Sequence, residues 1–452
     1  MTSTRTAYHA RWVLPIASSA LADGAIVVEG CLLQYVGPSV GAIADRHVQL
    51  GNAVLMPGLV NAHSHLELTA LRGFLEGLDF RDWLRVLTEA RRVVLTPDAL
   101  MDSATIGIHE GLLAGITTFA DCTESGIPLA AMRVAGVRGI GYIEVFGPDP
   151  AVRDASMLGL QRAVEAQRAF DTELVQTGVS PHAPYTVSAP LFRAVANWAR
   201  DQQLPVAVHV SEGTAEVSLI RDGSGPFAEG FRARGIAVQA TGASPVQLLA
   251  DTGILDTQAL LIHGVQMDAR DAALVARHGA SIVHCPISNA RLGHGIAPLD
   301  LFMDAGIATG LGTDSVASND RMDILSEARQ ATLFQGIRQF KPDALSAADA
   351  LRLATIGGAS ALRLRATTGT LETGKQADVA AFPLDRLEAL PGFDPTVSLV
   401  HALAGAVTAQ LVLVAGIERV RDGRMVDADP DLRARFEQIG RRLAKWRRIT
   451  AL

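Results

Sequence analysis

Four histidines fall where apolar runs end: His63 and His65 in Asn61-Ala62-His63-Ser64-His65, His209 after Leu204–Val208, and His263 after Ala259–Ile262. On a strand, imidazoles two residues apart point to the same side, and two neutral imidazoles at that spacing make half of a metal site. Asp314, after Ile307–Gly312, adds a carboxylate in the same kind of position. Three histidines and one carboxylate with a position left open form a catalytic site of the zinc or iron type, in which the metal lowers the pKa of bound water toward about 7. Hydrolysis is the chemistry to which such a set points. Glu212 lies three residues beyond His209, an offset that a regular strand would send to the opposite face. The chain must therefore leave the strand just after His209 for this carboxyl to join. Taken singly, each residue has an ordinary structural explanation: loop histidines, a core histidine, a capping aspartate, a solvated helix start. Their recurrence at successive strand ends is what argues for a site.

Such a site needs a scaffold that gathers distant strand ends. From Val54 to about Leu364, apolar strand candidates alternate with helical stretches of period 3.6. Eight strands are expected to end near His63–His65, Ala120–Asp121, Glu144–Phe146, Ser180–His182, His209, His263, His284–Pro286 and Gly312–Asp314. Between them lie helical patterns such as Arg81–Val94, Leu100–Ala114, Ala189–Asp201, Asp268–Arg277 and Ala347–Ala361. The pattern predicts an α/β fold, a (β/α)8 TIM-type barrel, typically about 250 residues before insertions, with its active site at the C-terminal strand ends. Short β-rich runs before it (Ala25–Val28, Leu32–Val36, His47–Leu50) and after it (Val379–Phe382, Ala409–Val414, Glu418–Arg421, Arg424–Val426) predict a smaller β-sandwich built from both chain ends. The expected domains are 1–56 for the first part of the sandwich, 57–364 for the catalytic barrel, and 365–452 for the rest of the sandwich with a charged helix, Asp429–Arg447.

The 452 residues carry a formal charge of −7, with 48% hydrophobic and 19% charged residues, which excludes disordered, collagen-like and nucleic-acid-binding chains. Three dispersed cysteines, Cys31, Cys122 and Cys285, argue against a disulfide framework and for a cytoplasmic setting. The apolar Trp12–Ala22 behind Arg5 and Arg11 has the loose form of a signal peptide, but Pro15 and Ser18-Ser19 interrupt it. No window reaches the roughly 18 apolar residues of a membrane helix, and Ala404–Gly416 reads as a buried strand. The expected partner is a small-molecule substrate, with neither nucleic acid nor membrane. Other metal-hydrolase signatures are missing: there is no Cys-x-x-Cys of the cytidine-deaminase kind, and His109-Glu110 is followed by Leu113 and Ala114 where a zincin helix needs a second histidine. Gly310-Leu311-Gly312 has the look of a phosphate loop, yet it leads directly into Asp314 on a barrel strand.

Pro57-Gly58-Leu59-Val60-Asn61-Ala62-His63-Ser64-His65, Ser180-Pro181-His182-Ala183-Pro184-Tyr185, His209-Val210-Ser211-Glu212, Gly312-Thr313-Asp314-Ser315-Val316-Ala317-Ser318-Asn319 and the stretch Gly369–Asp378 together resemble the amidohydrolase superfamily over almost the whole chain. Within it they resemble the mononuclear deaminase and chlorohydrolase branch. The resemblance implies one divalent metal, zinc ahead of iron or manganese, held by His63, His65, His209 and Asp314. It further implies Glu212, His263 and Asp314 as catalytic residues, His182 near the substrate, and a homodimer. Glu67, expected on ribose hydroxyls, and Ser288 and Asn289 complete the substrate contacts. Dinuclear relatives bridge two metals with a carbamylated lysine. Of the 40 basic residues here only three are lysines, Lys341, Lys375 and Lys445, so that bridge is impossible, and a carboxylate such as Glu144 would have to replace it.

The expected reaction is hydrolytic deamination. Asp314 accepts a proton from water, His263 orients the hydroxide, and Glu212, kept protonated by a dry pocket, donates to the ring nitrogen beside the C–NH2 carbon before serving the leaving ammonia. Members acting on methylthioadenosine or S-adenosylhomocysteine usually show Pro-Met after the second histidine and a downstream ribose-binding glutamate. Leu66-Glu67-Leu68 and Arg91-Arg92 stand there instead, and the glutamine of 8-oxoguanine deaminases is missing. The runs His65-Leu66-Glu67, Gly223-Ser224-Gly225-Pro226-Phe227 and Ser244-Pro245-Val246 look most like deaminases of aminodeoxyfutalosine, in menaquinone biosynthesis. Such a substrate would set an arginine, from among Arg72, Arg85 and Arg153, on its benzoate tail. The alternative is the same chemistry on guanine, a pterin, cytosine or an s-triazine. A more distant one is a non-catalytic scaffold barrel, against which the intact site residues argue.

Overall fold

The structure, a computed structural model, describes residues 4–449. Five strands come first: β1 (Arg5–Val13), β2 (Leu21–Glu29), β3 (Leu32–Pro38), β4 (Arg46–Gln49) and β5 (Ala53–Pro57). Eight more follow, separated by helices: β6 (Leu59–Ser64), β7 (Ile116–Thr123), β8 (Arg138–Val145), β9 (Val175–Pro181), β10 (Ala207–Val210), β11 (Leu260–His263), β12 (Ser281–His284) and β13 (Thr309–Leu311). The chain then returns to β14 (Val379–Pro383), β15 (Leu411–Val414), β16 (Ile417–Arg421) and β17 (Arg424–Met425), and ends its described part in a helix, Leu432–Ile449.

Strands β6 to β13 are parallel, as expected of strands covered on both faces and written as near-continuous apolar runs. They form two four-stranded sheets, β6-β7-β8-β9 and β10-β11-β12-β13. Single bridges join the sheets at both edges, Val179 with Val206 and Ser64 with Asp314. At these seams the Val179 amide donates to the Pro205 carbonyl at 2.9 Å and the Asp314 amide to the His63 carbonyl at 3.0 Å. The circuit is a (β/α)8 barrel, and all eight strand ends expected from the sequence lie on it. Alternate residues of the strands, among them Val60, Ala62, Ala120, Cys122, Ile140, Tyr142, Leu260 and Ile262, pack inside it with Ala359, Ala361 and Leu362.

The barrel closes tightly where glycines permit it. A Cβ on Gly310 would lie 2.7 Å from the Cα of Gly358, and one on Gly312 would lie 2.8 Å from the Cβ of His63. Gly310-Leu311-Gly312 is therefore a close-packing device of β13, and its resemblance to a phosphate loop is incidental. The helix expected over Ala347–Ala361 is present in three pieces, Ala347–Arg352, a wider π-type turn over Leu353–Gly357, and Gly358–Ala361.

The other strands make one nine-stranded sheet, β17-β16-β15-β14-β5-β1-β2-β3, with β4 on β1. Strands from both chain ends thus enclose one small core that includes Tyr8, Ile26, Leu33, Leu55, Val379 and Leu413. The sheet forks at β1, which pairs with β4 along Thr6–His9 and with β5 at Trp12–Val13. Arg138, opening β8, joins the two units through a buried ion pair with Asp378, Nε to Oδ2 2.6 Å. The final helix sets Ile439 and Leu443 against Trp83, Val86 and Leu100. No helix among the described residues is long and apolar enough to cross a membrane.

Candidate active site

The strand ends bring the expected residues together. Ligand-capable atoms of His63, His65 and His209 lie within 4.8 Å of one another, as do those of His63, His263 and Asp314. Asp314 Oδ1 stands 3.1 Å from His63 Nε2 and 3.6 Å from His65 Nε2. His209 Nδ1 is 3.1 Å from the carbonyl of His182, so Nδ1 donates and the Nε2 lone pair is left for the site. Burial pushes the His63 imidazole down to about 4 and that of His209 well below its ordinary value, with the neighbouring imidazoles adding to the effect. Burial also lowers His65. For Asp314 burial works against ionisation, but the hydrogen bond with His63 and the surrounding imidazoles outweigh it and hold the carboxyl well below the usual range. Neutral imidazole lone pairs beside an ionised carboxylate, buried except for the partly exposed His65, are the donor set a divalent cation of the zinc type requires. These residues fit such a group.

Three residues here adopt left-handed backbone conformations uncommon outside glycine: Ser211 (φ 52°), His263 (φ 74°) and Asp314 (φ 57°). The first supplies the departure from the strand that Glu212 needs. Glu216 holds it, its carboxylate accepting from the amides of Ser211 and Glu212 at 2.9 Å each. Burial raises Glu216 to about 8, against the pull of those two amides.

Glu212 has polar neighbours at both oxygens. Oε2 accepts from the Tyr185 hydroxyl at 2.7 Å. Oε1 faces His294 Nε2 at 3.3 Å and His263 Nε2 at 3.6 Å. His263 is in turn oriented by Asn289, whose Oδ1 is 2.9 Å from Nδ1. Burial opposes ionisation of Glu212, yet His263, His294 and Tyr185 together hold its carboxyl down to about 2. Against the expected protonated Glu212, the Tyr185 hydroxyl and the two neighbouring imidazoles favour the carboxylate. Tyr185 has no role in the sequence reading, and His294 is absent from it. His294 follows Leu292-Gly293 in a loop, where no strand-end pattern could single it out.

These groups face a cavity of about 1000 Å³ whose lining includes His65, His182, His209, Glu212, His263 and Asp314. Its apolar walls come from two helices, Phe80–Val94 with Phe80, Trp83 and Leu84, and Gly225–Ala233 with Phe227 and Phe231. Asp79 caps the first, accepting from the Asp82 amide at 2.9 Å. Ser288 and Asn289 do not line the cavity. Ser288 donates to Asp314 Oδ2 at 2.5 Å while Asn289 holds His263, so both stand behind the site, correcting their expected substrate contact. Glu67 does line it, but its carboxylate is already engaged by Arg91 at 2.9 Å, by Thr123 at 2.8 Å and by Ser125. The expected arginines are elsewhere, Arg72 paired with Glu110, Arg85 with Asp82 and Arg153 with Asp154. Arg81, Arg91 and Arg234 line the cavity instead. Glu144 lines it too, and burial, with Glu67 and Glu124 adding to it, raises that carboxyl well above its ordinary value.

Residues 54–417 match the amidohydrolase family. A 5-methylthioadenosine/S-adenosylhomocysteine deaminase of Thermococcus kodakarensis is 33% identical over 384 residues, covering 84% of this chain and 86% of that protein. An adenosine deaminase from Xanthomonas campestris, solved with bound zinc, superposes with a TM-score of 0.87 at 29% identity, covering 97% of this chain and 98% of that one. The aminofutalosine deaminase of Helicobacter pylori superposes with a TM-score of 0.78 over 91% of this chain and 99% of its own, and at 19% identity it shares the fold alone. The chain belongs to the amidohydrolase family, as a hydrolase acting on the C–N bonds of cyclic amidines.

Proposed function

We propose that the protein is a hydrolytic deaminase of an adenine-type nucleoside carrying an extended substituent, with aminodeoxyfutalosine, S-adenosylhomocysteine and 5-methylthioadenosine as the substrates to test first. The observation that carries this reading is Glu212, a carboxylate that accepts from the Tyr185 hydroxyl and faces the Nε2 atoms of His294 and His263 in the same cavity as His65, His209 and Asp314. The cavity's volume and its aromatic walls exceed what a nucleobase alone would fill. Relatives named as deaminases of adenine nucleosides support the same substrate class.

His63, His65, His209 and Asp314 would hold one divalent cation, zinc ahead of iron or manganese. When bound, it supplies Lewis acidity that activates a water for attack near neutral pH. The Glu212 carboxylate takes the first proton of that water and gives it to the ring nitrogen adjacent to the amino-bearing carbon. Asp314, kept ionised and steadied by Ser288 and by Ser318 at 2.9 Å, takes the second and passes it to the departing amine. His263, its Nδ1 fixed by Asn289, directs Nε2 toward Glu212 and the reacting carbon. The C–N bond breaks, a C=O forms, the ring nitrogen keeps one proton and ammonia leaves.

Ammonia release is measured with aminodeoxyfutalosine, S-adenosylhomocysteine, 5-methylthioadenosine and adenosine, and with guanine, cytosine and an s-triazine as alternatives. Turnover of an adenine nucleoside is expected. Inactivity on all of them, with turnover of another heterocycle, would overturn the nucleoside assignment.

A further inference from the structure

Of the cavity carboxyls outside the deamination chemistry, Glu67 and Glu124 are paired with Arg91 and Asp79 caps a helix, which leaves Glu144. Glu144, next to last in β8, lines the cavity with a side chain only 7% exposed, and its Oε1 has no hydrogen-bond partner. Among the described residues its neighbour at ion-pair range is His182, with Nε2 4.0 Å from that oxygen. The gap is too long for a hydrogen bond.

The protonation of His182 follows from its other contacts. Nδ1 is 2.8 Å from Thr186 Oγ1, and Thr186 gives its own hydroxyl proton to the Ala183 carbonyl at 3.1 Å. Thr186 therefore accepts from Nδ1–H, and Nε2 keeps its lone pair. The ring cannot readily turn to change this, being stacked on His209 at 4.6 Å and covered by Phe146 at 4.9 Å. Glu144 Oε1 and the His182 Nε2 lone pair thus face each other across 4.0 Å with no hydrogen bond between them, in surroundings that favour the neutral carboxyl. Arg91, on the same cavity wall, is already engaged by Glu67 and Glu124. A buried acceptor left unsatisfied carries its full desolvation penalty, and native chains keep few of them. One aimed into a substrate cavity marks a group the substrate satisfies.

We propose that Glu144 and His182 form a subsite for a substrate group bearing two hydrogen-bond donors, one for each acceptor, and that Glu144 determines specificity through it. This rests on the nucleoside-deaminase reading. Two groups on an extended adenine nucleoside have that chemistry, the ribose cis-diol and a primary ammonium on the substituent, and both reach acceptors 4.0 Å apart with hydrogen bonds of about 2.8–3.0 Å.

The test crosses two variants with three substrates. Glu144→Leu removes the acceptor and Glu144→Gln retains one. Each is assayed, with the parent enzyme, on the preferred nucleoside, its 2′,3′-dideoxy analogue and its N-acylated or amine-free analogue. In the parent enzyme, loss of the recognised donors should lower kcat/KM about tenfold or more, through KM, and the analogue that shows the loss identifies diol or ammonium. Glu144→Leu should raise KM for the preferred nucleoside by a similar factor and should abolish the difference between it and that analogue, while Glu144→Gln restores much of both. A Glu144→Leu enzyme that discriminates between the substrates as the parent does would overturn the subsite. So would loss of bound metal in Glu144→Gln, because Cys122, Glu144 and His209 also bring ligand atoms within 4.8 Å and such a loss would make Glu144 a metal ligand. If the parent enzyme deaminates no adenine nucleoside, the functional reading fails and this one with it; if it does and Glu144 has no effect, only the subsite fails.

Discussion

His294 Nε2 stands 3.3 Å from Glu212 Oε1, which sets a loop histidine at ion-pair range of the carboxylate that Tyr185 holds by a hydrogen bond. Its ring has been given room: a Cβ on Gly213 would lie 3.0 Å from His294 Nδ1, and Phe80 meets the ring edge-on at 4.7 Å between centroids. Removing a donor such as the Tyr185 hydroxyl from a charged acceptor costs roughly 1.5–3 kcal/mol, and each 1.36 kcal/mol is tenfold in rate. His294→Ala and Tyr185→Phe should each lower kcat by about tenfold or more with bound metal unchanged. Steady-state ammonia release with elemental analysis checks this, and an unaltered kcat in both variants would remove these residues from the account.

Ligand and proton carrier should separate cleanly. His209→Ala is expected to lose most of its divalent metal, whereas Glu212→Gln should keep the metal and lose on the order of 100-fold or more in kcat. Metal content per chain, measured beside single-turnover rates, decides. Stoichiometric metal in His209→Ala would disprove its place in the ligand set.

Gly312→Ala should act through packing. The added methyl would press on His63 Cβ at 2.8 Å and Val283 Cγ1 at 2.7 Å, an overpacking worth about 1–3 kcal/mol. Gly159 provides the control, since it lies within the helix Arg153–Arg168 with nothing near its missing Cβ. Gly159→Ala should hold or raise stability, by up to about 1 kcal/mol, and so hold or raise Tm. Equal melting temperatures for the two variants would contradict the close approach of β13 to β6.

His284 gives the folded state an acid limit. Both ring nitrogens are buried without partners, and burial pushes its imidazole down to about 3. The unfolded chain, with an imidazole near 6.5, takes up the proton first as pH falls. The contribution of this group to stability is therefore intact above about pH 6.5 and is lost progressively down to about pH 3. At pH 5 the loss is about 2 kcal/mol. The Tm of His284→Leu relative to the parent should accordingly improve between pH 7.5 and pH 5; a difference independent of pH would exclude the effect.

The histidines were legible because each closes an apolar run, and a parallel strand buried on both faces has no other reason to end so. The need for a turn after His209 was legible as well, but the device that makes it, Ser211 in the left-handed region under the Glu216 clamp, depends on a carboxyl that sequence spacing places on a helix without purpose. Ser288 and Asn289 are in the right neighbourhood, yet the helix Pro286–Arg291 turns them behind Asp314 and His263, a question of rotation that spacing does not answer. His294 and the cavity arginines come from loops and from helix faces whose direction is set by packing. The first strand is hidden by its own composition, with Arg5, Thr6, His9 and Arg11 breaking up the apolar residues of a strand exposed at intervals along its length.

The barrel's two seams give the ligand arrangement a mechanical meaning. His63 and His65 stand on the sheet that begins with β6, and His209 and Asp314 on the sheet that begins with β10. One seam runs between His63 and Asp314, the other between His182 and His209. A cation taken by two donors from each half would tie together half-cylinders whose seams carry few backbone hydrogen bonds, so that filling the site would also brace the cylinder.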